Sequence, residues 1–240
     1  MIRLSFLLAL LLTTCATFAQ SNFTGWVALN NLYRFPNSKF GMHLDVQFRG
    51  TSQITHLNSA IFRPGLNWHF HKDMFATVGY AFIEHRRIAS GVAGYAPEHR
   101  IWQQLIINQP VSFFTLQHRF RLEERFIVRH RLENGDFKTG GNYYATRFRY
   151  FGRAVIPLDG AKPFTKGLFG AVQNEVFLNL GDNSSVNGKS FDQNRLYLAI
   201  GYRLRKEFDL EVGYMNQYIS GVNKAFVNNH ILQLATYLRL

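Results

Sequence analysis

Leu116-Gln117-His118-Arg119-Phe120-Arg121-Leu122-Glu123-Glu124-Arg125-Phe126 is the stretch that decides the fold. Successive side chains on a strand point to opposite faces. On that reading Gln117, Arg119, Arg121, Glu123 and Arg125 form one face, an ionic ladder. Leu116, His118, Phe120, Leu122 and Glu124 form the other, which is largely apolar. A helix would scatter these charges around its circumference; a strand gathers them.

Working outward, the same two-residue period returns along the chain. Phe40, Met42, Leu44, Val46 and Phe48 oppose Gly41, His43, Asp45, Gln47 and Arg49. Leu196, Leu198, Ile200, Tyr202 and Leu204 oppose Arg195, Tyr197, Ala199, Gly201 and Arg203. The last run sets Leu232, Leu234, Thr236, Leu238 and Leu240 against Gln233, Ala235, Tyr237 and Arg239. The pattern predicts about eleven strands. They are Phe23–Tyr33, Phe40–Arg49, His56–Phe70, Met74–Ile83, Glu98–Asn108, Phe114–Val128, Tyr143–Ile156, Thr165–Leu180, Phe191–Leu204, Phe208–Ile219 and Asn229–Leu240.

The connections are expected to alternate in length. Short turns are read at His71–Asp73, Gln109–Ser112, Pro157–Pro163 and Arg205–Glu207, and longer polar segments at Glu84–Pro97, Arg129–Asn142, Gly181–Ser190 and Ser220–Asn228. Short periplasmic turns and longer outer loops are the habit of outer-membrane barrels. A single all-β, antiparallel up-and-down transmembrane barrel of ten to twelve strands over 20–240 is therefore expected. Even strand numbers are the rule for such barrels. Phe23–Tyr33 then runs the wrong way, so either it is not a wall strand, leaving ten, or one strand is missing, making twelve.

Alternation alone leaves open which face is inside, since a soluble barrel has the same period. Three features favour arginines inside and leucines outside. Strands of roughly ten residues, tilted near 45°, match the height of the apolar band. Aromatics gather near strand ends, at Phe70, Phe75, Phe113, Phe114, Tyr202, Phe208, Tyr214 and Tyr218, as interfacial girdles do. The polar face mixes both charge signs, as a closed lumen needs. Gln103, His118 and Asn174 fall on the outer parity and Trp102 on the inner, against the pattern.

The first residues read as an export signal: Arg3, an apolar run from Leu4 to Leu12, and Thr17-Phe18-Ala19 before a cut after Ala19. An uncleaved anchor is disfavoured by the short run, and lipidation at Cys15 by Thr14 before it. The 27 basic and 15 acidic residues give a net charge of +12, which falls by one when Arg3 leaves with the signal. Cys15 is the single cysteine, so a mature chain lacks disulfides and thiol chemistry. Nucleic acid is not expected as a partner of an exported chain. Outer-membrane lipids are, with small anionic solutes if the lumen is open. No protein partner is indicated.

Several segments resemble a domain-of-unknown-function family of Gram-negative outer-membrane barrels. They are Glu98-His99-Arg100-Ile101-Trp102-Gln103-Gln104, the ladder from His118 to Phe126, Asp192-Gln193-Asn194-Arg195-Leu196-Tyr197, Glu211-Val212-Gly213-Tyr214-Met215-Asn216-Gln217-Tyr218 and Asn229-His230. The resemblance implies fold and an outer-membrane location. It implies no activity.

The principal candidate site is the inward polar set Glu98, Arg100, Arg119, Arg121, Glu123, Arg125, Arg147, Arg149, Arg153, Glu175, Arg195 and Glu211. Either these charges neutralise one another and fill the lumen, or they line an anion-biased constriction. A rim-located lipid hydrolase or acyltransferase is the alternative function. For it Ser220, Asn229 and His230 are the only candidates, with no nucleophile motif around them. His69 and His71 share one strand face at metal-ligand spacing, and His85 and His99 bracket a polar segment with Glu84 and Glu98. Asp182-Asn183-Ser184-Ser185 has too few spaced acids for a calcium loop. Cofactors and metals are not expected.

Overall fold

The computed structural model describes residues 20–112, 114–160 and 163–240. The proposed signal at 1–19, with Cys15, and the expected girdle residue Phe113 lie outside them. The described chain is eleven strands: β1 (Gln20–Arg34), β2 (Phe40–Gly50), β3 (Leu57–His71), β4 (Met74–Ala89), β5 (Val92–Val111), β6 (Phe114–Glu133), β7 (Asp136–Pro157), β8 (Gly167–Leu180), β9 (Phe191–Arg205), β10 (Phe208–Ser220) and β11 (Phe226–Arg239).

Each strand pairs antiparallel with the next, and β1 closes the barrel by pairing parallel with β11, from Gln20 opposite Val227 to Leu32 opposite Arg239. The ten-or-twelve expectation gives way to this seam. Even numbers follow only if every pair is antiparallel. β1 pairs with β11 from Gln20 to Leu32 and with β2 from Trp26 to Arg34, so Phe23–Tyr33 is a wall strand after all. Parallel pairing is slightly weaker per residue, but closure removes two rows of unpaired backbone groups.

The strands also run further than alternation marked. β4 and β5 continue through 84–97 to a tight turn at Ser90-Gly91, and β6 and β7 through 129–142 to Asn134-Gly135. All four turn residues have positive φ: 47°, 88°, 54° and 85°. That is the signature of the two-residue turn whose twist matches a hairpin. These segments read as loops because neither face is apolar. They stand above the barrel wall as tall hairpins, and Phe137 of β7 reaches across to Gly94 of β5.

Parity fixes the faces all round the barrel. Leu196, Leu198, Ile200, Tyr202 and Leu204 are exposed outside, while Arg195, Tyr197, Glu175 and Glu211 are buried inside. Trp102, anomalous by sequence, is fully buried in the lumen. It fits because Gly79 stands directly opposite and Gly65 beside it. A Cβ on Gly79 would lie 2.4 Å from the indole. Phe169 covers Gly201 in the same way, with a Cβ contact of 2.2 Å, an aromatic filling the gap a glycine leaves in a curved wall. Phe75, expected in a girdle, is buried and stacks on His69.

The outward polar residues find partners on the exterior. His118 bonds the Tyr150 hydroxyl at 2.9 Å, His99 that of Tyr80 at 2.5 Å and His230 that of Tyr214 at 2.5 Å. Asn174 and Asn194 exchange amide hydrogen bonds of 3.2 and 3.1 Å.

Candidate functional site

The inward polar set converges in the lumen, with all but Arg119 and Arg125 buried. At two places in the set neighbouring strands carry opposite signs at the same height: Glu123 faces Arg147 and Glu175 faces Arg195 in the register. Glu123 accepts from Arg147 at 2.7 Å, Arg149 at 2.5 Å and Arg100 at 3.4 Å. Glu98 accepts from Arg100 and Arg125, both at 2.6 Å, and bonds His85 at 3.1 Å. Glu175 takes Arg119 and Arg149, each at 2.6 Å. Glu211 takes Arg153.

Two members depart from simple pairing. Arg121 donates to the Gln104 carboxamide oxygen at 2.6 and 3.0 Å and lies over Trp102. Arg195 donates to Gln193 at 3.2 Å and lies over Phe177 and Trp26; the nearest carboxylate oxygen, on Glu175, is 3.9 Å away. Charge-assisted bonds of this kind are about twice as strong as neutral ones. They offset the cost of removing the ions from water rather than adding a large surplus.

Further charges join the network. Asp45 pairs with Arg63 across β2 and β3, and Asp209 holds Arg203 and Arg239, each at 2.7 Å. Asp45 and Arg203 lie on the polar faces already read by alternation, so a legible signal existed. Asp192 is different: a register shift between β8 and β9 beside it breaks the parity, and its carboxylate meets Arg147 at 2.9 Å. Bulges re-aim side chains in this way, and alternation cannot foresee them.

The lumen divides into two parts. Below the network lies a cavity of about 620 Å³, running from the rim at Ser112, Pro157 and Arg239 inward to Trp26, Arg49 and Arg195. Glu98, Arg100, Trp102, Glu123, Arg147 and Phe177 do not line it; they are 0–6% exposed. At their level the side chains shield one another almost completely from solvent.

The other candidates do not assemble. Asn229 faces the lumen, donating to Gln217 at 3.1 Å, while His230 faces outward on Tyr214. Ser220 sits 3.5 Å from the Lys189 ammonium. The three point apart and make no nucleophile–base–orienter relay. His85 is inside on Glu98 and His99 outside on Tyr80, so that pair does not meet. His69 stacks on Phe75 and His71 accepts the Asp73 N–H at 3.2 Å. Among the described residues no three metal-ligating side chains cluster. Asp182, exposed in the 181–190 connection, accepts the Ser184 N–H at 2.9 Å, which holds its carboxyl below the usual range.

A family model described as a protein of unknown function (DUF2490) matches residues 23–228, from β1 into β11. The chain belongs to this family. An uncharacterized protein of Methylorubrum extorquens is 26% identical over 199 residues, covering 81% of this chain and 78% of its own length. No solved structure matches. The family extent covers all twelve residues of the inward polar set, from Glu98 to Glu211, while Arg239 lies beyond it.

Proposed function

We propose that this DUF2490 protein is an outer-membrane barrel closed by its own charges, without a through-going pore. The carrying observation is the inverted packing: a fully buried Glu123 held by Arg147 and Arg149 inside, and exposed leucines outside. In water, every exposed leucine would forgo roughly 25 cal/mol per Å² of apolar area. In hydrocarbon that exposure is the stable state.

The exterior supports the same reading. Tyr33, Phe40, Trp68, Phe70 and Tyr202 ring one end of the wall; Phe126, Tyr144, Phe191 and Tyr218 ring the other. Aliphatic residues such as Val78, Val172, Ile200, Val212 and Leu234 lie between them. From Phe191 to Tyr202 a strand tilted near 45° climbs about 25 Å, the height of an outer-membrane apolar band. Exterior histidines and asparagines are each given a partner, as a medium without water requires. The short turns at 72–73 and 206–207 would face the periplasm and the tall hairpins the outside. Anionic headgroups suit the net positive charge.

Planar-bilayer recording of the purified protein tests the lumen, and resistance of membranes to carbonate extraction tests the location. The expected result is a membrane-retained protein with no steady conductance. Sustained anion-biased current would replace the plug with a pore. Recovery in the aqueous fraction without detergent would overturn the membrane reading.

A further inference from the structure

The periplasm-facing cavity has a charge imbalance that the plug does not explain. Its lining includes eight arginines but only three carboxylates, those of Asp45, Glu175 and Asp209. Most of these arginines share an acid. Arg49 shares none among the described residues. It donates to the Gln47 carboxamide oxygen at 2.6 Å, and its Nε–H is buried without an acceptor.

Arg49 also stands directly opposite Trp26 across β1 and β2, with its guanidinium carbon 4.0 Å from the ring centroid. Arg195 approaches the same ring at 5.2 Å. Its nearest carboxylate oxygen is Glu175 Oε2 at 3.9 Å, beyond hydrogen-bond reach, while the other oxygen of that carboxylate takes Arg119 and Arg149. Two guanidinium groups therefore meet at one indole, Arg49 with no acid among the described residues and Arg195 with only a distant share of one. Cation–π contact offsets only part of what it costs to keep so poorly paired an ion out of water.

Apolar side chains stand among polar ones such as Asn30, Gln117, Gln173 and Gln233 on the rest of the wall. Ile106, Phe151, Met215, Ala28 and Leu32 line the same space. The volume of about 620 Å³ is in the range of small-molecule pockets.

We propose that Arg49 and Arg195, seated on Trp26, form a binding site for a small organic anion, a carboxylate or phosphate on an apolar body. The oxyanion supplies the charge the two guanidinium groups lack, and planar fork geometry suits either head group. The body lies along the apolar side chains toward the short-turn rim. The site requires the pocket and not the membrane, so bilayer insertion and anion binding fail separately.

Calorimetric titration of the intact protein in amphipol tests this, with 2-naphthoate as the probe and neutral 2-naphthylmethanol and inorganic phosphate beside it. Saturable 2-naphthoate binding is expected, about tenfold or more tighter than either comparison ligand. Arg49→Gln should weaken it by a similar factor, while Arg86→Gln, on the tall hairpin, leaves it unchanged. Equal binding of the alcohol would overturn the ionic half of the site. Equal binding of phosphate would overturn the apolar half. Silence with 2-naphthoate to millimolar concentration would overturn the proposal outright. The three ligand arms need only the unaltered chain, so a poorly folding Arg49→Gln does not shield the idea.

Discussion

Trp102 lies flat over Gly79 on the neighbouring strand, in the space where any other residue would carry a Cβ. The indole covers the gap, meets His43 edge-on at 5.3 Å and gives Arg121 a face at 4.6 Å. A single glycine thus makes room for the indole inside the barrel.

Gly79→Ala should cost about 1–3 kcal/mol, because the added methyl has nowhere to go against ring and backbone. The measurement is the urea midpoint of the folded barrel, followed by heat-modifiable mobility. An unchanged midpoint would mean that the indole packs elsewhere.

Removing Glu123 should be far more damaging than removing an exposed acid. Glu123→Ala removes the one buried carboxylate that Arg147, Arg149 and Arg100 share, leaving them Asp192, Glu175 and Glu98, and should cost about 3–5 kcal/mol. Glu133→Ala, whose partner Arg131 is exposed at 2.9 Å, should cost less than about 1 kcal/mol. High salt should reduce the second effect and scarcely touch the first. Urea titrations at two ionic strengths give both comparisons.

The exterior histidine–tyrosine pairs report on the surroundings. Tyr214→Phe leaves His230 without its 2.5 Å partner. In lipid the orphaned imidazole should cost about 1–3 kcal/mol; against water it should cost almost nothing. Stability of Tyr214→Phe and Tyr150→Phe in bilayers separates the two environments.

The tall hairpins should tolerate what the wall does not. Gly135 sits at φ 85°, so Gly135→Val should strain the turn by about 1–2 kcal/mol. The consequence should stay local: faster tryptic cleavage at Arg131 and Lys138, with the barrel midpoint unmoved. A global loss of folding would show that the hairpin helps nucleate the wall.

Alternation, a property of neighbours in the chain, was legible throughout. It placed the strands, divided Arg119, Arg121 and Glu123 from Phe120 and Leu122, and picked out the polar set. It failed where the physics is not local. Asp192 needed a bulge, and Phe75 sits inside though its position near a strand end suggested a girdle. Trp102 looked anomalous because its glycine partners lie on other strands.

The order of residues alone thus determined a β-barrel with one ionic and one apolar face, since the period of two is set by the pleat itself. Only the tertiary structure decided the rest. The parallel seam between β1 and β11 is a matter of how a curved sheet meets its own edge. The separation of the buried ionic network from the arginine-rich cavity depends on which strands stand opposite one another across the lumen. Closure brings Glu123 and Glu175 within reach of arginines from several strands and leaves Arg49 without a carboxylate among the described residues, a distinction written in distances between strands rather than along any one of them.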